Sequence, residues 1–298
     1  MKILVSGSSG LIGSTLIPFL TNRGHSVIRL LRSPPESGTP DLQWNPATGE
    51  MDESALNGFD AVIHLGGENV YGRWTAAKKE RIYNTRVHST RYLSEALARC
   101  TNPPQTFLCA SATGYYGDRG SEVVTEDSAG GTGFLAHVCR DWEGAADAAR
   151  NRVIRVVHLR FGIVLTPRGG ALSKMLLPFR LGLGGKIGSG RQYMSWCSLD
   201  DAVGAVSHAL VTPALSGALN VVSPDPVTNR QFTRALGRRL RRPTPLTVPA
   251  FALRLVLGEM ADEAPLASVR VEPARLLATG YSFRHLKLED ALRDLSAP

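Results

Sequence analysis

A glycine-spaced turn near the start of the chain constrains the fold more than any other feature. Gly7, Gly10 and Gly13 follow a short apolar run, residues 2–6, and precede a helical pattern over residues 11–23. In that context the glycines permit a tight turn, close approach of a pyrophosphate and close packing of helix on strand. The helix N-terminus adds free N–H groups and the positive end of a dipole. A purely structural turn is the alternative. The predicted dinucleotide contacts are Gly7, Ser9, Gly10, Leu11, Ile12 and Gly13.

The residues after the second predicted strand indicate which dinucleotide binds. In NAD-preferring sites an acid at the end of that strand binds the ribose 2′-OH. Here the strand covers residues 26–31, and Arg32 and Ser33 follow it with no Asp or Glu. Arg32 can pair with a 2′-phosphate and Ser33 can donate to it, so the expected cofactor is NADP(H). A surface arginine without a ligand is the alternative.

Strands and helices alternate through the first half of the chain, which predicts a parallel sheet with helices on both faces. Further predicted strands cover residues 60–65, 106–110, 153–159 and 218–222, and further predicted helices cover residues 75–99, 134–150 and 199–211. The expected class is α/β, a Rossmann-type doubly wound parallel sheet with a smaller, mostly helical C-terminal substrate domain. The rhythm changes after residue 166, where glycines are crowded. We therefore expect a dinucleotide domain over 1–165 plus about 199–222, and a substrate domain over 166–198 plus 223–298.

Composition excludes several classes of protein. No apolar run is long enough to span a bilayer, which needs about 18 residues or more, and the N-terminus lacks the pattern of a secretory signal. Four cysteines, at positions 100, 109, 139 and 197, form no C-x-x-C pair and no zinc spacing. We expect no metal, no membrane partner and a reducing, cytoplasmic location.

The net charge of +8 favours anionic partners in general. The densest basic cluster contains Arg234, Arg238, Arg239, Arg241 and Arg242. It lacks interleaved aromatic residues and any nucleic-acid motif, so a solvated helix face is the favoured interpretation and nucleic acid is not an expected partner.

Three segments together resemble the extended short-chain dehydrogenase/reductases: the glycine turn, DAVIHLGGEN at 60–69, and SATGYYG at 111–117. Within these, the chain is similar to the NAD(P)-dependent epimerase/dehydratase-like, nucleotide-sugar epimerase subgroup with a C-terminal domain of unknown function. Residues 176–196 and 275–283, together with Arg73-Trp74, resemble that subgroup specifically. The resemblance covers essentially the whole chain.

The resemblance implies further cofactor contacts. These are Leu65, Gly66, Gly67, Arg86 and Val164. Each also has a structural interpretation, such as a strand end or a helix surface charge. His64 is interpreted as a packed strand histidine rather than a catalyst.

The chain departs from the wider family at its catalytic pair. Ordinary members carry Tyr-x-x-x-Lys on the helix after the serine-bearing strand, because a phenol needs a neighbouring cation to work near neutral pH. If Glu143 is the anchor, those two positions fall on Leu135 and Cys139. The usual proton relay therefore cannot be transferred to this chain, and the subgroup characteristically lacks it.

Other side chains at the same strand end are candidates for the proton chemistry. The expected catalytic residues are Ser111, Thr113 and Tyr116. Tyr115 is an alternative to Tyr116, and a packed tyrosine corner is the alternative to both. Cys139 is interpreted as a small buried hydrophobe rather than a reactive thiol. Arg140 is interpreted as a surface charge, since guanidinium does not deprotonate in proteins.

The substrate end gives fewer indications. Arg180, Lys186 and Arg191 lie among glycines and could bind a phosphate or carboxylate, while Asp201 could cap a helix. The favoured hypothesis is an NADP(H)-binding oxidoreductase or epimerase-like enzyme that acts on a small molecule. The alternative is a non-catalytic NADP(H)-binding regulatory protein. A homodimer paired through residues 75–99 and 134–150 is possible.

Overall fold

The computed structural model describes residues 1–293. Its first half alternates strands and helices, with short 3₁₀ turns at Glu53–Leu56 and Thr113–Tyr116. In chain order these elements are β1 (Lys2–Ser6), α1 (Gly13–Thr21), β2 (Ser26–Leu31), β3 (Leu42–Gln43), β4 (Ala61–His64), α2 (Ala76–Arg99), β5 (Thr106–Ala112), β6 (Val123–Val124), α3 (Phe134–Gly144), α4 (Asp147–Asn151), β7 (Arg155–Phe161) and β8 (Ile163–Leu165).

The second half has shorter elements. They are α5 (Gly170–Arg180), β9 (Gly185–Ile187), β10 (Tyr193–Met194), β11 (Trp196–Ser198), α6 (Leu199–Val211), β12 (Gly217–Val221), β13 (Val227–Thr228), α7 (Asn229–Leu240), β14 (Leu246–Val248), α8 (Ala250–Leu257), α9 (Met260–Glu263), β15 (Arg270–Val271), α10 (Ala274–Ala278) and α11 (Leu288–Arg293).

Seven parallel strands form the central sheet in the order β12-β7-β5-β4-β1-β2-β3. Strands β2 and β3 follow β1 on one side of the sheet. The chain then crosses to the other side of β1, where β4, β5, β7 and β12 lie in that order. The strand order therefore reverses between β1 and β4, and the crevice at their carboxyl ends is where open α/β sheets bind ligands. The predicted Rossmann-type fold is confirmed.

The sheet is covered on both faces, as its apolar strands predict. Along β1, Ile3 and Val5 pack with α1 and α6, whereas Leu4 packs with α2 and α4 on the opposite face. This alternation follows from the two-residue period of a strand. Strand β1 is therefore buried between two layers of helices, and the turn after it lies at the carboxyl edge of the sheet.

Some predicted boundaries were wrong. The single helix expected over residues 134–150 is two helices, α3 and α4, separated at residues 145–146. The strand expected over 153–159 begins only at Arg155, because Val153 is almost fully exposed and has a left-handed backbone with φ of 68°. Strand β5 continues through Ser111 to Ala112, which brings more side chains to the carboxyl edge.

Small two-stranded sheets join the C-terminal elements to the rest of the molecule. Strand β15 pairs with β6, β11 with β8, and β14 with β9. A separate apolar cluster forms from α5, α7 and α11. The division into a dinucleotide domain (1–165 plus about 199–222) and a substrate domain stays a proposal, and residues 294–298 of the latter lie outside the described residues.

Candidate functional site

The turn after β1 requires its glycines. Gly7 has φ of +72°, and a Cβ there would lie 2.7 Å from the carbonyl carbon of Leu65. A Cβ on Gly13 would overlap the Gly7 carbonyl oxygen, so helix α1 can approach the strand this closely only without a side chain. Gly10 closes the turn by donating its N–H to the Gly7 carbonyl over 3.0 Å. The end of β4 therefore lies directly against the turn.

Helix α1 begins without a side-chain cap. Its N-cap residue, Ile12, makes no capping hydrogen bond, and its first turn contains no acid. Ser9 and Gly10 are exposed beside it, and Leu11 is partly exposed. The positive dipole end of α1 therefore lies beside exposed backbone with no acidic side chain on it, which suits an anionic pyrophosphate.

Strand β2 contains one paired arginine, Arg29, and is followed by one that is unpaired within the described residues, Arg32. Arg29 of β2 donates to Asp41 through Nε over 2.8 Å, and its own N–H binds the same carboxylate. Asp41, the acid beside this strand, is therefore bound internally. Arg32 and Ser33 are exposed, and among residues 1–293 Arg32 forms no ion pair. Arg32 is therefore the charged side chain directly after β2 that has no acidic partner among these residues.

The end of β4 packs against helix α2. A Cβ on Gly67 would lie 3.2 Å from the Arg86 guanidinium carbon. Arg86 itself lies over the Trp142 ring at 5.1 Å and donates to the Ile82 carbonyl over 3.2 Å. Burial lowers the pKa of Arg86 below its usual range. The guanidinium is thus partly buried beside the glycine pair.

His64 is packed, as the sequence analysis favoured. It has no exposed surface, and its ring nitrogens contact the hydroxyls of Ser6 and Ser89. Burial lowers its pKa to about 4, so the ring is neutral at physiological pH. It braces β1 against α2 and contributes no proton to the crevice.

The segment containing Val164 closes the other side of the turn. Val164 lies on β8 in register with Cys197 of β11. The Leu11 side chain lies 3.0 Å from a Cβ built on Gly169. These contacts bring the start of α1 and the segment after β8 together.

A buried polar network lies where β5 ends. The Ser111 hydroxyl donates to Glu143 over 2.7 Å, and the same carboxylate accepts two hydrogen bonds of 2.8 Å from Arg160. The Glu143 and Arg160 side chains are 12% and 4% exposed, so this is a buried ion pair. Burial alone would lower the pKa of Arg160, but Glu143 raises it above its ordinary value. This pair was not predicted from the sequence, although Arg160 inside the apolar strand β7 indicates that a buried acid lies nearby.

Tyr116 continues this network into the core. It has no exposed surface, donates to Asn220 over 2.7 Å and accepts from Arg160 over 2.9 Å. Burial raises its pKa further above 10, although Arg160 opposes the shift. Tyr115 is partly exposed with its ring stacked on Arg160, and Thr113 is partly exposed at the start of the 3₁₀ turn. Of the three expected catalytic side chains, Thr113 is therefore the most accessible.

The positions of the usual Tyr and Lys belong to an apolar wall. Leu135 packs beside Phe134 in a cluster with residues of α8 and α9. Cys139 is buried, as the sequence predicts, and burial raises the pKa of its thiol to about 11. All four cysteines are buried and free.

The C-terminal part of the chain caps helix α3, which the sequence did not predict. The Glu263 carboxylate accepts the backbone N–H groups of Phe134 and Leu135 over 2.6 and 2.7 Å. It stands directly over Gly133, where a Cβ would lie 2.7 Å from it. A carboxylate is the natural partner of a helix N-terminus, so this contact joins α9 to the wall of the crevice.

The three basic residues expected to bind substrate do not converge. Lys186 is partly buried and donates to the Gly188 carbonyl, whereas Arg180 and Arg191 are exposed on separate elements. Asp201 is buried and accepts the backbone N–H of Arg284, so it is structural. Among residues 1–293 no group of three or more His, Cys, Asp or Glu could hold a metal ion. Over the same residues, no helix combines the length and apolarity needed to cross a membrane.

Comparison with known proteins places these features in a family. Residues 3–222 match the model of the NAD dependent epimerase/dehydratase family, and residues 248–295 match a domain of unknown function. The Mycobacterium bovis epimerase family protein Mb2239 is 45% identical over 97% of this chain and 96% of its own.

Two solved structures are also similar to this chain in fold. The human epimerase family protein SDR39U1, crystallised with NADPH, has a TM-score of 0.89 at 34% identity and covers 99% of each chain. MoeE5, in complex with UDP-glucose and NAD, has a TM-score of 0.76 over 99% of this chain and 97% of its own. At 22% identity that second likeness shows the fold alone.

Proposed function

The chain belongs to the NAD-dependent epimerase/dehydratase family, and from that premise we propose that it is an NADP(H)-binding oxidoreductase or epimerase-like enzyme acting on a small molecule. The observation on which this rests most is the pairing at the end of β2. Asp41 is bound by Arg29, while Arg32 has no ion-pair partner within residues 1–293. An unpaired arginine at this position can bind a 2′-phosphate, whereas a ribose 2′-hydroxyl is usually bound by an acid. The human relative crystallised with NADPH supports this choice.

The crevice residues fit such a dinucleotide. The uncapped start of α1 provides N–H groups for the pyrophosphate, and Arg32 and Ser33 would bind the 2′-phosphate. The strand ends would flank the nucleotide with little side-chain bulk. These proposed residues are Leu65, Gly66, Gly67, Arg86 and Val164. When bound, the nicotinamide supplies the hydride acceptor or donor.

We propose that Ser111, which is 3% exposed, replaces the missing tyrosine as the group that touches substrate, with the more accessible Thr113 beside it. The Ser111 proton already points to Glu143, so its oxygen is left to accept a hydrogen bond from a substrate hydroxyl. A substrate proton could then pass to Ser111 as the serine proton moves to Glu143. Tyr116 is fully buried, so we assign it the role of holding Arg160 in place rather than touching substrate.

A non-catalytic NADP(H)-binding regulator remains the second candidate. The observation that favours it is the apolar wall at Leu135 and Cys139, because neither side chain supplies a phenol or a cation. Both candidates share the same nucleotide site. Turnover of nicotinamide with any substrate separates them.

Titration with NADPH and NADH, followed by nicotinamide fluorescence, tests the shared site. Removing one charged phosphate contact in Arg32→Ala should weaken NADPH by about 1.5–3 kcal/mol and barely change NADH. Arg152→Ala, an exposed arginine after α4, is the matched control. If neither nucleotide binds the unaltered chain, the glycine turn is structural and both candidates fail.

Hydride transfer needs its own test. Nicotinamide absorbance, followed over a panel of small alcohols, carbonyl compounds and nucleotide sugars, should show turnover that Ser111→Ala reduces by about a hundredfold or more. Nucleotide binding should be unchanged in that variant, because Ser111 faces Glu143. Tight NADPH binding without turnover of any compound would favour the regulator.

A further inference from the structure

Large apolar side chains are exposed together on the C-terminal side of the molecule. Phe251 and Leu255 of α8 are 72% and 75% exposed, and Leu181 after α5 is 65% exposed. The whole group is Leu177, Leu181, Leu183, Leu246, Phe251, Leu255 and Val256. Single exposed leucines are ordinary, but a group of this size on neighbouring elements marks an interaction surface.

Contacts connect the elements that carry this group. Strand β14, which contains Leu246, pairs with β9 directly after Leu183. Helices α5 and α8 both reach the loop before α2: Lys174 lies 4.3 Å from the Tyr71 ring, and Arg73 donates to the Leu255 carbonyl over 2.9 Å. Helices α5 and α8 therefore border the same loop, and the exposed apolar residues lie on elements along this edge.

Four exposed arginines adjoin this edge. They surround an open hollow of about 400 Å³ at the end of α7, together with Gly237, Pro243 and Thr244. The arginines are Arg234, Arg238, Arg241 and Arg242. Arg242 ties the hollow to the apolar group by donating to the Arg180 carbonyl over 2.9 Å. Arg239, the fifth member of the sequence cluster, is turned away and donates to α11.

The positive charge of the hollow is not neutralised locally. Within the part of the chain that the structure describes, none of the four arginines forms an ion pair with an acid. Residues 226–258 contain no Asp or Glu at all. Helix α11, which packs against α7, carries two acids, Glu289 and Asp290, of which Asp290 is paired with Arg293. We call the four arginines and the seven apolar residues the basic–apolar face.

We propose that the basic–apolar face docks onto the surface of an anionic lipid bilayer. Arginines attract the negative headgroups while leucine and phenylalanine side chains enter the boundary with the acyl chains. Nucleic acid would satisfy the arginines but leave the apolar side chains in water. A second copy would cover the apolar group but bring arginine against arginine. Only an anionic lipid surface satisfies both halves of the face, so this proposal replaces the expectation that no membrane is a partner.

Vesicle co-sedimentation tests the proposal with the full chain. The expected result is binding to vesicles of equal phosphatidylcholine and phosphatidylglycerol, weakened by salt, and little binding to phosphatidylcholine alone. The charge-reversed double variant Arg238→Glu/Arg242→Glu should lose about a hundredfold or more in affinity. Phe251→Ser/Leu255→Ser should lose about tenfold or more.

Controls come from the opposite edge of the sheet. Arg152→Glu and Val153→Ser change an exposed arginine and an exposed apolar residue before β7, and both should bind vesicles as the unaltered chain does. Urea midpoints verify that every variant is folded.

Three outcomes would overturn the proposal. The first is no preference for the anionic vesicles, and the second is an equal loss in the control variants. The third is a dimer in sedimentation velocity that Phe251→Ser/Leu255→Ser dissociates, because the face would then join two copies. None of these depends on nucleotide binding, so the proposal and the proposed function can fail separately.

Discussion

The buried pair of Glu143 and Arg160 should stabilise the fold far more than an exposed pair of the same chemistry. In the variant Glu143→Gln the amide keeps one acceptor but turns an N–H₂ group towards the guanidinium and leaves the arginine charge buried without compensation. Since the two side chains are 12% and 4% exposed, the expected loss is about 3–5 kcal/mol of unfolding free energy.

The chain contains a matched control for this prediction. Glu53 and Arg99 also form a two-bond pair, at 3.0 and 2.6 Å, but their side chains are 45% and 57% exposed. Glu53→Gln should therefore cost about 1 kcal/mol or less, because water solvates both partners after the change. Chemistry and geometry are nearly constant between the two pairs, and burial differs.

Urea unfolding measures both variants, with tryptophan fluorescence as a probe because Trp142 precedes Glu143 on α3. The double variant Glu143→Met/Arg160→Met should recover part of the loss, since it removes the uncompensated charge. If Glu143→Gln costs no more than Glu53→Gln, the network does not hold β5, β7 and α3 together and the reasoning fails.

Three further predictions follow from the structure. Gly13→Ala should abolish NADPH binding in the fluorescence titration while Gly144→Ala leaves it intact, because a Cβ at Gly144 meets nothing closer than 4.0 Å. Glu263→Gln should cost about 1 kcal/mol in urea unfolding by weakening the cap on α3, and an unchanged midpoint would contradict that role. Burial lowers the pKa of both His64 and His158 to about 4. Between pH 6.5 and pH 4 the unfolded chain therefore binds more protons than the folded chain. The free energy of unfolding should be about 3 kcal/mol higher for each histidine above pH 6.5 than towards pH 4. A free energy of unfolding that stays flat across that range would refute this prediction.

The sheet could be predicted closely because its signals are local. Apolar runs, the glycine turn and helical periodicity each lie within a few residues, and the predicted strands 2–6 and 26–31 match β1 and β2. Strand β3 was missed because two residues have no measurable period. The division of α3 from α4 was missed because the alanines at 145–146 are compatible with a continuous helix.

The glycine turn after β1 could be predicted better than the polar network at Ser111 for the same reason. Turn, glycines and Arg32 belong to one strand–helix–strand segment. The Ser111 network instead depends on the pairing of β5 with β7, which sets Ser111 opposite Arg160, and on Glu143 from a helix between them. Ser111 and Arg160 are 49 residues apart, so no local sequence pattern predicts that they lie opposite each other. Glu263 and the helix α3 that it caps are separated by still more of the chain.

The direction of the Ser111 proton bears on the form of substrate that the site accepts. Arg160 donates two hydrogen bonds to Glu143, and the two side chains form an ion pair. An ionised Glu143 keeps the Ser111 hydroxyl as its donor, so the serine oxygen can only accept from a ligand. A substrate hydroxyl satisfies that acceptor and a carbonyl does not. If Ser111 is the group that touches substrate, we infer that the resting site is prepared for an alcohol and the oxidised nucleotide, and that reduction begins only after a proton has reached Glu143.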